Sequence, residues 1–432
     1  MTAAMSGRLG AGRTGQVLAA LAAATCGEYL GAMHELTTTT PDFVFWAATL
    51  LLVMKLLASQ DPRWWVAVGA CAGLASEAKW NIAFLLAALA AGFALTGARR
   101  LLRSRYLLIG ALIAAALAAP DLSWQAAHGW PGLEVFRALQ TEAGHNRLVY
   151  WPAQVFYTGV ALTPLWVAGA VWSLRSAAAR PFRPVAIACV AVIALQFVLG
   201  GKAYYSGAAY TFLLAAGCLP LERRLGRRRA SRADRRAREG RRTGSAFWPP
   251  AVPIPAFWTP AFWAAAAMVA GAALGAPVAL PLLPARALHV VPLQKINYDL
   301  GEEISWPSQV ALVAREYRTL PAAQRARTTI LTGNYGEAGA IGRYGPGDGL
   351  PPAYSGANSF WLWGPPPAAD SAAIAVDVDP ALLRHEFTRV RRIATFRNGL
   401  GVADDEQGVP VFLATGLRSS WARAWPAFRA YG

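Results

Sequence analysis

The sequence predicts a polytopic α-helical membrane protein of about nine spans, with a basic cytoplasmic side and a C-terminal extracytoplasmic α/β domain. Three observations predict it. Hydrophobic residues make up 55% of the 432-residue chain and charged residues only 15%, against about 25% charged in soluble domains. Alanine-rich apolar runs recur from Gln16 to Leu219 and again from Phe257 to Leu283. Several approach the roughly 20 residues that cross a bilayer core, and the shorter ones must tilt, break or pair. Basic residues fall between alternate pairs of runs, a pattern that buried helices of a soluble protein do not need.

In chain order the expected spans are Gly15–Met33, Asp42–Leu57, Trp65–Ala75, Ile82–Thr96, Tyr106–Ala119, Pro152–Leu174, Pro184–Leu199, Tyr204–Leu219 and Phe257–Leu283. Arg8 and Arg13 precede the first, and Arg63 follows the second. Arg99, Arg100, Arg103 and Arg105 follow the fourth, and Arg175, Arg180 and Arg183 follow the sixth. With a cytoplasmic N-terminus all of these lie inside, as the excess of positive charge on cytoplasmic loops requires; Arg137 and Arg147 in the long outer loop after the fifth span are the exceptions. The same count places residues 285–432 outside. The domain reading is therefore a transmembrane domain over 1–221, a basic cytoplasmic linker over 222–250, a last transmembrane helix within 251–284 and an outer α/β domain over 285–432.

The formal net charge of +17 does not read as a nucleic-acid surface, because the arginines from Arg223 to Arg242 form one block. That block reads as a cytoplasmic loop attracted to anionic lipid. Cys26, Cys71, Cys189 and Cys218 all lie in apolar runs, so no disulfide framework supports the outer domain. No cleavable signal peptide is evident. Paired repeats with interrupted helices, which would suggest a transporter, are also lacking.

The outer ends of the spans gather ionisable groups: His34, Glu35 and Asp42; Glu77 and Lys79; Asp121; and Lys202 with Tyr204 and Tyr205. Such groups are costly at membrane depth and mark a shared polar cavity when they converge. Asp42 also has a purely structural reading. Thr37-Thr38-Thr39-Thr40-Pro41 can cap the second span, and Asp42 suits the positive end of its dipole. Glu28 lies inside the first span and must face protein or water. Lysine is rare in this chain, and Lys79 and Lys202 both lie at outer edges, where a compact cation could meet a phosphate. Lys79 is expected at the junction of two short helices, and Lys202 follows a Gly200-Gly201 hinge. The outer loop Asp121–Trp151 is amphipathic and suits the membrane interface.

The order Thr39-Thr40-Pro41-Asp42-Phe43-x-Phe45-Trp46, then a small-residue helix ending in Lys79, resembles the bacterial glycosyltransferase family 39 proteins. The resemblance continues through Ala119-Pro120-Asp121-Leu122-Ser123-Trp124-Gln125, His128-Gly129-Trp130-Pro131 and Gly201-Lys202-Ala203-Tyr204-Tyr205. These proteins are relatives of the protein O-mannosyltransferases and of the lipid A aminoarabinose transferase, with the GT-C membrane fold. The resemblance implies transfer of a sugar from a polyprenyl-phosphate carrier to an acceptor outside the cytoplasm, with inversion. It implies Asp42 as the acid at the catalytic position, and Lys79, Lys202, Tyr204 and Tyr205 around the donor phosphate. A divalent cation is left open and no metal-type cluster fixes one. Family members carry an acidic pair in a first outer loop that has no counterpart here. A start upstream of Met1, a truncated chain, or a non-catalytic relative that binds lipid-linked sugar or acts as a scaffold are the alternatives.

Residues 285–432 mix strand-like runs (Thr329–Thr332, Ala373–Val378, Val409–Leu413) with helical ones (Ser308–Leu320, Pro380–Val390), which predicts an α/β or α+β domain. Asn334-Tyr335-Gly336-Glu337 and Tyr354-Ser355-Gly356-Ala357-Asn358 resemble the outer domain of one bacterial subset of the family. Asn334, Tyr335, Glu337, Asn358 and Trp361 are candidate acceptor contacts through stacking and hydrogen bonds. The alternative is a loop-rich core packed with aromatics.

Overall fold

The computed structural model describes residues 1–242 and 259–431, with side chains described outside 227–258. Two compact units emerge: Met1–Ala127 with Gln140–Leu280, and His128–Leu139 with Pro281–Gly432.

The first unit is helical. Its elements are α1 (Thr2–Arg8), α2 (Arg13–Ala24), α3 (Gly27–His34), α4 (Thr39–Ser59), α5 (Trp64–Ala78), α6 (Ile82–Ala94) and α7 (Arg105–Ala127). After α8 (Pro131–Leu139), which belongs to the second unit, come α9 (Ala143–Thr158), α10 (Thr163–Arg175), α11 (Arg183–Leu199), α12 (Tyr210–Arg242) and α13 (Pro260–Ala279). The threonine run starts α4 as expected: the Thr37 hydroxyl accepts from the Thr39 amide at 3.2 Å, with Asp42 in the first turn. Small residues join the helices. A Cβ on Gly73 of α5 would lie 2.9 Å from the Ala114 Cα of α7, and one on Gly169 of α10 would collide with the Leu213 carbonyl of α12. Close backbone approach of this kind replaces the hydrophobic drive that lipid does not supply between helices.

Four stretches among the described residues are long and apolar enough to cross a membrane: Thr39–Ser59, Arg105–Ala127, Ala177–Leu199 and Pro260–Ala279. Two bent pairs, Ile82–Ala94 with Gly97–Arg103 and Pro131–Thr158 with Thr163–Arg175, would bring the number to six at most, if each pair formed one span. Nine separate spans are therefore not met. The expected first span is two helices: α2 ends at Ala24 with Thr25 as its C-cap, where the Thr25 hydroxyl bonds back to the Leu21 carbonyl at 2.8 Å, and α3 starts at Gly27. The expected third is the 15-residue α5. The arginine block also departs from the expected loop. It continues α12 to Arg242, in keeping with the strong helix preference of Arg and Ala. The remainder of the linker, and the expected start of the last span at Phe257, lie outside the described residues.

The second unit contains α8 and then α14 (Asp299–Glu302), α15 (Trp306–Thr319), α16 (Ala322–Arg325), β1 (Thr328–Thr332), α17 (Tyr335–Tyr344), β2 (Ala353–Ser355), β3 (Ala372–Val376), α18 (Pro380–Glu386), β4 (Phe387–Thr395), β5 (Pro410–Leu417) and α19 (Trp421–Ala424). The sheet order is β2-β1-β3-β5-β4, with β1 parallel to β2 and β3 and the β3–β5 and β5–β4 pairs antiparallel. Both faces are covered, so β1 and β3 are buried without alternation, β3 through apolar residues and β1 with threonines at 328, 329 and 332. Ile330, Ile374 and Val376 pack with Val310, Val313 and Ile341 on one side, whereas Leu331, Ala373 and Ala375 pack with Phe387, Trp421 and Trp425 on the other. Each such aliphatic side chain contributes about 1.5–3 kcal/mol on burial.

This is the α/β domain expected, with two differences. Residues 387–390 are strand rather than helix: Phe387 inserts beside Trp421, at 5.8 Å between rings, and pairs with Leu417. The short β2 carries no apolar signal of its own and is held only by its parallel register with Ile330, Leu331 and Thr332.

Candidate functional site

The polar groups of the first unit converge where α4, α5 and α6 meet the chain after α11. The α5 helix ends at Ala78, Lys79 is extended, and α6 starts at Ile82, which is the two-helix junction expected. Asp42 is fully buried in the first turn of α4. Its Oδ2 accepts from the Asn81 side-chain amide at 3.2 Å, and its Oδ1 has no hydrogen-bond partner of good geometry among the described residues, with the buried Trp46 indole N–H, likewise without one, as its neighbour. The same Asn81 amide donates to the Tyr205 carbonyl at 2.9 Å, and the Asn81 oxygen accepts from Gln196 at 3.2 Å. Asn81 thus ties Asp42 of α4 to α11 and to the turn after it. An unsatisfied carboxylate oxygen in a buried site is costly unless something else fills it.

Lys79 faces the same place. Its Nζ donates to the Thr39 hydroxyl at 3.2 Å and lies 4.6 Å from the Tyr205 ring centre and 5.1 Å from that of Tyr204. The two tyrosine rings meet edge to face at 4.8 Å. This cation is held by ring faces and a hydroxyl, not by a bonded carboxylate, so its charge is available to an anion.

Lys202 follows the expected hinge. Gly200 takes the left-handed conformation (φ 68°) that ends α11, and a Cβ there would lie 2.5 Å from that of Ala143. Lys202 lies 3.9 Å from Glu142, and both are largely exposed, so this pair is weak and exchangeable. Beneath the turn, Tyr150 and Tyr210 hydroxyls, Ser206 and Gln154 form one buried hydrogen-bonded group. Glu28 faces the protein as expected: a Cβ on Gly207 would meet its Oε1 at 2.6 Å.

Of the other expected outer-edge groups, Asp121 accepts from the Trp80 indole at 2.6 Å and so joins the junction beside Lys79. Glu35 offers its backbone carbonyl to the Thr40 hydroxyl at 2.7 Å. Glu77 is exposed on α5. Sequence reasoning missed Asn81, Gln196 and Glu142. A signal existed for Gln196, a single amide in the apolar run Val192–Val198.

In the second unit, Asn334 and Glu337 have a structural role. They form a reciprocal cap on α17: Asn334 Oδ1 accepts from the Glu337 amide at 2.9 Å, while Glu337 Oε2 accepts from the Gly333 and Asn334 amides at 3.0 and 3.2 Å. Glu337 is fully buried and faces the Glu406 carboxyl, which accepts from Gln309 and Asn334, while Glu337 Oε1 has no hydrogen-bond partner among the described residues. Burial, then the facing Glu406 charge, holds Glu337 well above the usual carboxylate range. Glu302, which accepts from the Asp405 amide at 2.8 Å, is pushed up to about 7 by burial, with Asp405, Asp404 and Glu406 adding to it. Trp361 and Trp425 exchange indole-to-carbonyl bonds at 3.1 and 3.0 Å, and Arg429 lies 4.3 Å above Trp361. Asn358 has positive φ (50°) and its amide bonds the Ala430 carbonyl at 2.9 Å. Tyr335 remains half exposed. Asn334 to Glu337 follow β1, whereas Asn358 and Trp361 follow β2.

Among the described residues no group of three or more His, Cys, Asp or Glu side chains could hold a metal ion, so the divalent cation left open by the sequence has no cluster fitted to it. No curated protein and no solved structure matches the chain. Residues 5–124, the stretch that carries Asp42, Lys79 and Asn81, match the family model of dolichyl-phosphate-mannose-protein mannosyltransferase, and over that stretch the resemblance to the family 39 membrane glycosyltransferases holds.

Proposed function

We propose that this chain is a membrane glycosyltransferase that moves a sugar from a polyprenyl-phosphate carrier to an acceptor on the outer face of the membrane. The observation that carries the reading is the pairing of a buried carboxylate with an open oxygen, Asp42, and an aromatic-held cation, Lys79, within one family-matched junction.

In the reaction an acceptor hydroxyl oxygen attacks the anomeric carbon as the bond from that carbon to the phosphate oxygen breaks. Inversion follows from attack opposite the leaving group. The hydroxyl proton passes to Asp42 Oδ1, a step worth typically 10²–10⁴ in rate. The bonding pair leaves on the phosphate, giving polyprenyl phosphate, whose added charge Lys79 stabilises in a site of low dielectric. Lys202, on the flexible side of the turn, suits the entry of the same phosphate. Tyr204 and Tyr205 hold the Lys79 head in place and offer hydroxyls to phosphate or sugar. The site sits in a cell-membrane protein with a cytoplasmic N-terminus and an extracytoplasmic C-terminal unit, an arrangement supported by the arginine distribution.

The test is release of polyprenyl phosphate from radiolabelled polyprenyl-phosphate mannose by the intact chain in proteoliposomes, with a nucleotide sugar as control. Release from the lipid-linked donor alone supports the reading. Saturable donor binding with no release across a panel of protein and glycan acceptors would instead favour a lipid-phosphate-binding, non-catalytic role.

A further inference from the structure

The exposed apolar residues of the outer unit are not scattered. Among its described residues, most of the large exposed ones fall in two stretches that each begin within three residues of a candidate span. The first is Trp130 to Phe136, directly after α7 ends at Ala127. The second is Leu282 to Tyr298, directly after α13 ends at Ala279. Three residues reach at most about 11 Å of extended chain, so both stretches start within the headgroup zone of the surface their spans leave. Soluble domains rarely expose contiguous apolar groups without a partner to cover them.

Each stretch has the build of an interfacial segment. On α8, Leu133 and Phe136 lie three residues apart on one exposed stripe, while Glu134 and Arg137 pair with each other at the side. In the second stretch Leu282, Val290 and Ile296 are 59%, 79% and 54% exposed. Exposed Arg286 and Lys295 lie between them, with no acidic residue before Asp299. Apolar side chains alternating with cations match an anionic bilayer surface, where the stems enter the acyl boundary and the charges meet phosphate. A third feature extends this surface. The helix Asn358–Trp363 packs against α8, and its last residue, Trp363, is 76% exposed with its ring 4.3 Å from that of Phe360. An exposed tryptophan beside an interfacial helix suits the headgroup level, where an amphipathic ring is most stable.

We infer that the outer unit docks on the anionic headgroup region of the membrane through Leu133 and Phe136 of α8, Leu282, Val290 and Ile296 after α13, and Trp363. Docking holds the loop after β2, which carries Asn358 and Trp361, next to the lipid surface rather than in bulk water. The inference stands apart from the transferase reading, since it concerns lipid contact and not turnover.

The test uses the full chain in vesicles of phosphatidylcholine and phosphatidylglycerol. Leu133→Cys, Val290→Cys and Trp363→Cys each receive an environment-sensitive fluorophore, with Tyr344→Cys on α17 as the exposed control and the unsubstituted chain as background. All four positions are exposed, so the label need not disturb packing. Nitroxide lipids are expected to quench the labels at 133, 290 and 363 at least threefold more than the label at 344, with blue-shifted emission. Removing phosphatidylglycerol should reduce quenching at 290, beside Arg286 and Lys295. Quenching at 290 and 363 no greater than at 344 would overturn the inference, as would shielding of these labels from both lipid and water quenchers, which would point to a protein partner.

Discussion

The two units solve the burial of polar groups in opposite ways. In the membrane unit, buried polar side chains converge on a place that is incompletely satisfied: Asp42 has one oxygen without a partner among the described residues, and Lys79 rests on ring faces. In the second unit the acidic and amide groups that look equally suggestive in sequence are largely taken up by the turn before α17, although Glu337 Oε1 there is also without a partner among the described residues. Asn334 and Glu337 cap α17, and Glu406 collects Gln309 and Asn334. Polar residues beside glycine turns therefore mark a site in one unit and a fastening in the other. What separates the two is whether the turn's own amides consume the side chain. The same contrast appears in packing, since the membrane unit is joined by glycines where backbones touch and the outer unit by aliphatic layers on both faces of a sheet.

That contrast can be broken or sharpened by substitution. The largest effect on donor binding should come from Lys79→Met, which leaves the stem and deletes the cation. A hydrogen bond to a charged group is worth about 1.5–3 kcal/mol, so donor binding should weaken about tenfold to a hundredfold while the thermal midpoint holds. Titration with polyprenyl phosphate measures it. Next is Gly217→Val, where a Cβ would strike the Leu165 carbonyl. Separating α10 from α12 should cost about 1–3 kcal/mol and lower the midpoint of the intact protein in detergent, whereas Gly347→Ala, with open space around it, should be nearly silent.

In the outer unit, Asn334→Ala should cost about 1 kcal/mol, as cap losses do. It should speed hydrogen exchange over Tyr335–Tyr344 and leave donor turnover unchanged. A gain in the acceptor KM instead would return Asn334 to an acceptor role. The smallest effect is a pH slope. The folded values of Glu302 and Glu337 lie above the ordinary carboxylate value, Glu302 at about 7. The folded state therefore holds protons that the unfolded state releases. Stability from these groups is complete below about 4.5 and is lost as pH rises through 7 and beyond. Exchange in α15 and α17, corrected for intrinsic rate, should increase over that window, and Glu337→Gln should flatten the increase.

Much of this was legible beforehand, for reasons that are local. The start of α4 is written in the threonines and Pro41, and the Lys79 junction in the small residues before it. The apolar run of β3 and the β-branched run of β1 read as strands, and both are buried throughout because both of their faces are covered. The rest depends on long-range partners. Asn81 is ordinary until Asp42, Gln196 and Tyr205 close around it from 39, 115 and 124 residues away. The β2 strand exists only through its pairing with β1. Residues 387–390 carry a helical pattern that the Phe387–Trp421 contact and pairing with β5 override. The break in the first expected span, between Ala24 and Gly27, falls in a continuous apolar run and carries no strong local signal.

The most direct measurement is the Asp42→Asn variant of the intact chain in proteoliposomes, scored for both donor binding and release of polyprenyl phosphate. The amide keeps the shape and the contact with Asn81 but cannot take the acceptor's proton. Donor binding close to that of the unsubstituted protein, with release lower by about 10²–10⁴, is the expected result. Release within a fewfold of the unsubstituted rate would contradict a base at Asp42 and, with it, the reading of this junction as the catalytic site.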